Sequence, residues 1–119
     1  MSDGYLTTHV LDTARGCPAE GVHITLFRLE GIARTKVTEM TTNADGRTDK
    51  QILTPTTLRT GVYELVFATG SYLDAIGTPA ESPRFLGDIP VRFGISDPDA
   101  HYHVPLLLSA FGYSTYRGS

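Results

Sequence analysis

The sequence has little cysteine and no long run of apolar or like-charged residues. Its 119 residues include one cysteine, Cys17, so no disulfide can form within the chain and nothing indicates a secreted disulfide scaffold. No apolar run approaches the ~20 residues that a membrane helix needs. The net charge is -3 without a run of either sign, which argues against nucleic acid or an anionic membrane as the main partner.

The two ends of the sequence also lack address signals. Residues 1–5 contain neither the basic nor the apolar region of a signal peptide, and the last four residues differ from the peroxisomal Ser-Lys-Leu signal. We therefore expect a cytoplasmic protein. The length fits one domain, residues 1–119, which is large enough to bury a core without metal or disulfide bonds. Cys17 lies in a Gly-Cys-Pro sequence that we interpret as a turn.

Turn-forming residues recur about every ten residues, which is typical of short strands in a sandwich or barrel. The helix signal is limited to residues 71–76, where Ser71 is the expected cap and Gly77 the expected end. The sequence predicts an antiparallel β-sandwich of about eight strands with one short helix. Strands are predicted at residues 6–11, 22–30, 34–42, 47–53, 61–68, 91–96, 101–108 and 111–117, with a tight turn at 43–46.

Strand alternation predicts which side chains face the core. Within residues 101–108, one alternate set is large and apolar, so this face is expected to be buried. His103 and Leu107 then face outward, as do His9 and Leu11 in the first predicted strand. Apolar side chains beside histidines on an outer sheet face indicate a pocket or a covered interface.

Histidine titrates near neutral pH, which suits either general base catalysis or metal binding. His101 and His103 stand two positions apart on one strand face and could chelate zinc, with His9 as a third ligand. His23 interrupts an apolar strand, and we interpret it as a solvated or edge residue. The sequence has no Gly-x-Ser-x-Gly elbow, P-loop or dinucleotide fingerprint. The residue pattern alone therefore predicts a β-sandwich with a candidate histidine site.

Three segments carry a resemblance to a known family. They are LTTHVLDT at residues 6–13 with GCPA at 16–19, TNADGR at 42–47, and HYHVPLLLS at 101–109 with YSTYRGS at 113–119. Together they resemble the transthyretin-related family, specifically its 5-hydroxyisourate hydrolase branch, from Leu6 to Ser119. The final Tyr-Arg-Gly-Ser is the most specific mark, because the hormone-carrying transthyretins lack it. Ala110 stands where the family usually has proline, and we expect little effect on chemistry.

This resemblance implies a transthyretin-like sandwich with a short helix after the fifth strand, assembled as a homotetramer of two dimers with active sites in the channel between them. The implied catalytic cluster consists of His9, Arg47 and His103. The implied substrate-binding residues are Tyr116, Arg117, Gly118 and Ser119.

The reaction implied by the resemblance is hydrolysis of 5-hydroxyisourate, a urate oxidation product, by a water that histidine activates, without metal or organic cofactor. Two alternatives stay open. One is a transthyretin-like carrier that binds a small molecule in the same channel without catalysis, since a fold does not fix a function. The other is a structural or metal-binding β-domain that uses His101 and His103.

Overall fold

The chain folds into two four-stranded sheets, seen in a computed structural model that describes residues 3–119. One sheet has the order β2-β1-β7-β8 and the other β4-β3-β5-β6. A seven-residue helix, α1 (Thr69–Ala75), follows β5. In this described part of the chain, no helix has the length and apolar character needed to span a membrane. The strands are β1 (Tyr5–Asp12), β2 (Cys17–Pro18), β3 (His23–Glu30), β4 (Ala33–Thr41), β5 (Gly61–Phe67), β6 (Ile89–Ile95), β7 (His101–Leu108) and β8 (Tyr113–Thr115).

Side-chain alternation along the strands produces the core between the two sheets. In β1, every second residue from Leu6 to Asp12 is buried, and the residues between them are only half-buried. The predicted apolar face of β7 is buried as expected, while His101 and His103 face outward. Each large apolar side chain that is fully buried contributes about 1.5–3 kcal/mol to stability. The largest such side chains include Tyr63, Phe67, Leu6, Ile24, Leu26 and Leu65.

The strand pairs are antiparallel with one exception, the pair of β1 and β7. These two central strands run parallel, so that Tyr5 lies opposite His101, Thr7 opposite His103 and His9 opposite Pro105. A parallel pair needs a long crossover connection, and here the whole second sheet is inserted between the two strands. The sequence did not predict this parallel pair. It brings the two histidine-bearing segments side by side.

The predicted strand at residues 47–53 is wrong. This segment runs along the edge of β1 as a loop, joined by one isolated bridge between Leu53 and Leu6. Residues 47–51 are all polar and lack the alternation that a half-buried strand needs. The eighth strand is instead β2, whose two residues pair with Leu11 and Asp12, so Cys17 lies in a short strand and not in a turn.

The helix begins earlier than predicted, and Ser71 is not its cap. The N-cap is Ala68, which makes no side-chain capping bond. Tertiary contacts replace the local cap, because the Thr69 hydroxyl and the Gly70 N–H both donate to the carbonyl of Gly87. Gly77 ends the helix as predicted, with φ of 79°.

Candidate active site

A cleft of about 370 Å³ opens on the outer face of the β1–β7 pair. Its floor is formed by side chains that alternation directs away from the core. One wall is the loop that follows the turn at residues 43–46, and the end of the chain closes the opposite side. The residues that matter most for its chemistry are Thr7, Arg47, Lys50, His101, His103 and Ser119.

The parallel register of β1 and β7 joins three cleft side chains through one hydroxyl. Thr7 Oγ1 lies 2.8 Å from His103 Nδ1 and 2.6 Å from His101 Nε2. The two imidazole rings are 5.8 Å apart between centroids. His101 also stacks on Tyr5, with ring centroids 4.0 Å apart and an interplanar angle of 11°. Both rings are therefore fixed in orientation.

The end of the chain packs directly against His103. Because β8 stops at Thr115, the edge of β7 near its start is free, and Gly118 pairs there with His103. The Gly118 N–H donates to the His103 carbonyl at 2.8 Å. A Cβ at Gly118 would stand only 2.5 Å from His103 Cδ2, so only glycine fits beside this ring. Ser119 then reaches the cleft.

Arg47 is held by a tight turn that docks on β1. The Asn43 side-chain oxygen accepts hydrogen bonds from the N–H groups of Asp45 at 2.9 Å and Arg47 at 3.2 Å. The Val10 N–H donates to the Gly46 carbonyl at 2.8 Å, which fixes the turn to the strand that carries His9. The predicted turn at residues 43–46 is thus confirmed.

The electrostatics of the site keep its histidines neutral. Burial lowers the pKa of His103, and the positive charge of Arg47 lowers it further, with smaller effects from His101 and His9. Burial and Arg47 also lower the pKa of His9, although the Asp45 backbone carbonyl opposes this. The pKa of His101 is lowered by burial. Imidazoles with pKa values below their ordinary value of ~6.5 are unprotonated at pH 7 and suited to accept a proton.

The structure brings some of the predicted site residues together but separates others. Arg47, His103 and Ser119 line the cleft, and Gly118 contacts the His103 ring. His9 lies on the same outer face of β1 but does not line the cleft. It is close enough to Arg47 for that charge to lower its pKa, and close enough to His103 to affect the pKa of that ring.

Tyr116 and Arg117 lie elsewhere. They line a second cleft of about 290 Å³ between the edge of β6 and the inner side of β7. The Arg117 guanidinium lies 4.4 Å from the centre of the Tyr102 ring, a distance typical of a cation–π contact. Tyr116 is 60% exposed. Within one copy of the chain, these two side chains do not reach the histidine cleft.

Sequence reasoning missed several cleft residues. Thr7, at the centre of the hydrogen bonds, was not predicted to have a role, and His101 was predicted only as a candidate metal ligand. Its partner Tyr5 was not singled out. Alternation alone would have placed all three on the cleft side, but only the parallel pairing shows that they touch. Asp49 and Gln51 lay within the wrongly predicted strand.

The metal interpretation gains no geometric support. Residues 3–119 hold no group of three or more His, Cys, Asp or Glu side chains arranged to bind a metal ion. His101 Nε2 and His103 Nδ1 both form hydrogen bonds with the Thr7 hydroxyl. His23 is exposed on β3, 3.6 Å from Glu39, which confirms its interpretation as a solvated residue.

Comparison with known proteins gives close relatives over the full length. The 5-hydroxyisourate hydrolase of Mesorhizobium japonicum is 57% identical over 116 residues, which cover 98% of this chain and 93% of that protein. The structure of Klebsiella pneumoniae 5-hydroxyisourate hydrolase is similar with a TM-score of 0.80 and 34% identity, covering 98% of this chain and 94% of that one.

Two further solved structures are similar. An (S)-allantoin synthase matches with a TM-score of 0.92 and 46% identity over 99% of this chain, which spans 44% of that longer chain. Sea bream transthyretin in complex with thyroxine matches with a TM-score of 0.84 and 28% identity, covering 95% of this chain and 93% of that one. A sequence model of the HIUase/Transthyretin family matches residues 6–118. The chain therefore belongs to the HIUase/Transthyretin family.

Proposed function

We propose that this protein hydrolyses 5-hydroxyisourate to 2-oxo-4-hydroxy-4-carboxy-5-ureidoimidazoline, a step of urate catabolism. The observation that carries the proposal is the pairing of a neutral, oriented His103 with the Arg47 cation at one cleft. Close relatives that bear the name of this activity support it. The reaction uses water and protein side chains only.

The cleft suits the chemical character of this substrate. 5-Hydroxyisourate is small, flat, rich in carbonyl groups and prone to carry negative charge. About 370 Å³ is within the ~300–1,000 Å³ range of small-molecule sites. Among the charged side chains that line the cleft, the cations Arg47 and Lys50 outnumber the carboxylate of Asp49. A guanidinium can donate two parallel hydrogen bonds to a planar acceptor. Arg47 therefore binds the substrate and offsets the negative charge that develops on its acyl oxygen.

His103 is the proposed general base. Its Nδ1 is held by Thr7, whereas Nε2 has no hydrogen-bond partner in residues 3–119 and is not buried. Nε2 takes a proton from water, whose oxygen bonds to the acyl carbon of the six-membered ring. When the carbon–nitrogen bond breaks, the leaving ring nitrogen receives the proton. His9, near both Arg47 and His103, is proposed to help orient the water.

The final residues support the site in different ways. Gly118 fits the His103 ring, and Ser119 lines the cleft, so both are proposed to complete the substrate-binding surface directly. Arg117 anchors the tail on Tyr102. Tyr116 is exposed, and we assign it to the substrate channel of an assembled protein, where a neighbouring copy would face it.

That assembly is proposed to be a homotetramer of two dimers. In residues 3–119 the two sheets have four outer strands, β2, β8, β4 and β6, and an outer strand edge can pair with a second copy. Leu11 and Leu107 form an apolar, half-buried pair on the outer sheet face beside the histidines, and a second dimer would cover them. Sedimentation equilibrium of the purified chain tests this arrangement. We further propose a cytoplasmic location, in keeping with the unpaired thiol of Cys17.

The decisive experiment follows the ultraviolet absorbance of freshly generated 5-hydroxyisourate with and without the protein. Rapid decay that is lost in His103→Ala and His9→Asn, with circular dichroism unchanged, supports the proposal. Decay no faster than the spontaneous reaction, with folded protein, would favour a carrier instead. The thyroxine-bound transthyretin of similar fold makes thyroxine the ligand to test in that case.

A further inference from the structure

The hydroxyl of Thr7 couples the protonation states of two histidines. A hydroxyl has one proton to donate, yet Thr7 Oγ1 lies within hydrogen-bond distance of both His101 Nε2, at 2.6 Å, and His103 Nδ1, at 2.8 Å. Thr7 can donate to only one ring and must accept from the other. Two neutral histidines therefore have two consistent arrangements, which differ in the direction of both hydrogen bonds.

Only one arrangement leaves His103 able to act as a base. If His103 Nδ1–H donates to Thr7, the Thr7 hydroxyl donates to His101 Nε2, and His103 Nε2 keeps a free lone pair. In the reverse arrangement, His103 Nε2 carries the proton and cannot accept another. The imidazole faces the cleft in a fixed orientation between Thr7 and Gly118, so the tautomer decides its chemistry.

We propose that Thr7 and His101 are positioning residues for the reaction, in which the Thr7 hydroxyl sets the base tautomer of His103 and exchanges a proton with His101. The inference rests on the proposed hydrolysis. When Nε2 takes a proton from water, His103 Nδ1–H passes its proton to Thr7, and Thr7 passes its own to His101 Nε2. His103 is then neutral with a proton on Nε2, while His101 is a cation.

The second half of the reaction runs the same path backward. His103 Nε2–H gives its proton to the leaving ring nitrogen as the carbon–nitrogen bond breaks. His103 Nδ1 regains a proton from Thr7, which regains one from His101 Nε2. The net result is transfer of one proton from water to the leaving nitrogen, with hydroxide added to the acyl carbon and every side chain restored.

The surroundings favour holding the positive charge on His101. The positive charge of Arg47 opposes a cation on His103, in addition to burial, whereas burial alone lowers the pKa of His101. The π-face of Tyr5, stacked at 4.0 Å, stabilises a cation on the His101 ring. The titratable or charged side chains around the pair are Tyr5, His9, Arg47, Asp49 and Lys50.

The first test reads the tautomer without using activity. Long-range ¹H–¹⁵N NMR of the ring nitrogens in the free protein at pH 7.5 should show His103 protonated on Nδ1, with its signals assigned by their loss in His103→Asn. Thr7→Ser should keep this tautomer. Thr7→Val, which has nearly the same shape but no hydroxyl, should lose it. A wild-type His103 protonated on Nε2, or a Thr7→Val spectrum like that of the wild type, overturns the inference.

The second test separates tautomer control from proton exchange. Thr7→Val should lower kcat about 100-fold with KM nearly unchanged, and Thr7→Ser should restore most of the lost kcat. His101→Gln can accept the Thr7 hydrogen bond but cannot take the proton, so it should keep the His103 tautomer and still lose kcat. Wild-type kcat in Thr7→Val or His101→Gln overturns the inference. An inactive wild-type protein would instead refute the proposed function, while the NMR result still decides the tautomer.

Discussion

Gly118 and His103 are in such close contact that a methyl group on Gly118 would lie 2.5 Å from Cδ2 of the imidazole ring and 3.2 Å from Cγ. At the same time, the Gly118 N–H donates to the His103 carbonyl. The backbone pairing fixes the position of the tail, and the missing side chain leaves room for the ring. The ring orientation and the fit of the tail therefore depend on each other.

Gly118→Ala should consequently inactivate the enzyme without unfolding it. The added methyl group forces the His103 ring away from Thr7, and a displacement near 1 Å can reduce the rate about 100-fold. The measurement is kcat/KM for 5-hydroxyisourate together with the midpoint of thermal unfolding. Gly112→Ala is the matched control, because a Cβ there would meet only Ser109 Oγ, at 3.7 Å. Wild-type activity in Gly118→Ala would show that catalysis does not depend on the position in which Gly118 holds the His103 ring.

Gly46 links the stability of the fold to the position of Arg47. Its φ is +74°, and a Cβ would lie 2.3 Å from the Val10 carbonyl oxygen. Gly46→Ala should therefore cost the ~1–2 kcal/mol of a left-handed alanine plus about 1–3 kcal/mol of overpacking, and activity should fall as the Arg47 turn leaves β1. Urea unfolding measures the loss of stability, and kcat/KM measures the loss of activity.

Gly31→Ala provides the comparison for that experiment. Gly31 also has positive φ, +62°, but nothing lies within 4 Å of its added Cβ, so this variant carries the backbone strain alone. The free energy of unfolding should fall less in Gly31→Ala than in Gly46→Ala, and activity should persist. Equal losses in the two variants would mean that the contact with Val10 contributes nothing.

Local alternation explains how much of the site could be predicted from the sequence. Which face a strand residue takes depends on its neighbours in sequence, so His9 and His103 could be assigned to the outer face before any pairing was known. The family resemblance then identified Arg47 as a partner of these histidines. Gly118 was expected to bind substrate, but its steric fit to His103 is a tertiary contact that the sequence does not show.

The parallel register of β1 and β7 could not be predicted in the same way. Thr7 and His103 are 96 residues apart in the sequence. Their contact depends on the path of the chain through the second sheet, which places β7 beside β1. Threonine is also common on strand surfaces for packing reasons alone, so Thr7 gave no signal of its own. The wrong strand at residues 47–53 had a different cause, because residues 47–51 already lack the alternation of a strand in the sequence. The hydrogen bond that anchors the Arg47 turn to β1, by contrast, is a tertiary contact.

Tyr72 attaches α1 to the end of β1 through a buried hydrogen bond. Its hydroxyl donates to Asp12 Oδ2 at 2.7 Å, and the two residues are 3% and 2% exposed. Tyr72→Phe leaves the buried carboxylate with one partner fewer and should lower the free energy of unfolding by about 1–3 kcal/mol. Urea unfolding measures this loss of stability. Tyr113→Phe, at an exposed position, should be neutral, and equal stability of the two variants would contradict the prediction.

The same hydrogen bond predicts alkaline sensitivity. Burial and the Asp12 carboxylate raise the pKa of Tyr72 to about 12, above its ordinary value of ~10. The folded state then holds this proton more tightly than the unfolded state, so its stabilising contribution is complete below pH ~10 and is lost as pH rises toward 12. Thermal unfolding between pH 9 and 12 should show a shallower decline in Tyr72→Phe than in the wild type.

The charge of Arg47 should contribute to the acid limit of activity. Burial is the larger cause that lowers the pKa of His103 and His9, and Arg47 lowers both further. Because the base form is the neutral one, wild-type kcat/KM should persist below pH 6.5 and fall only as pH drops through the lowered pKa. Arg47→Gln removes the charge, which raises both pKa values and moves the acid limb to higher pH, on top of a loss of roughly 100-fold at all pH values. Arg47→Lys keeps the positive charge but cannot donate two parallel hydrogen bonds, so its rate should fall while its acid limb stays near that of the wild type.

Lys50→Gln is the control, because this cation also lines the cleft but is not among the groups that shift the pKa of either histidine. An acid limb at the same pH in Arg47→Gln and wild type would contradict this prediction and assign the titration to a group that Arg47 does not shift, such as His101.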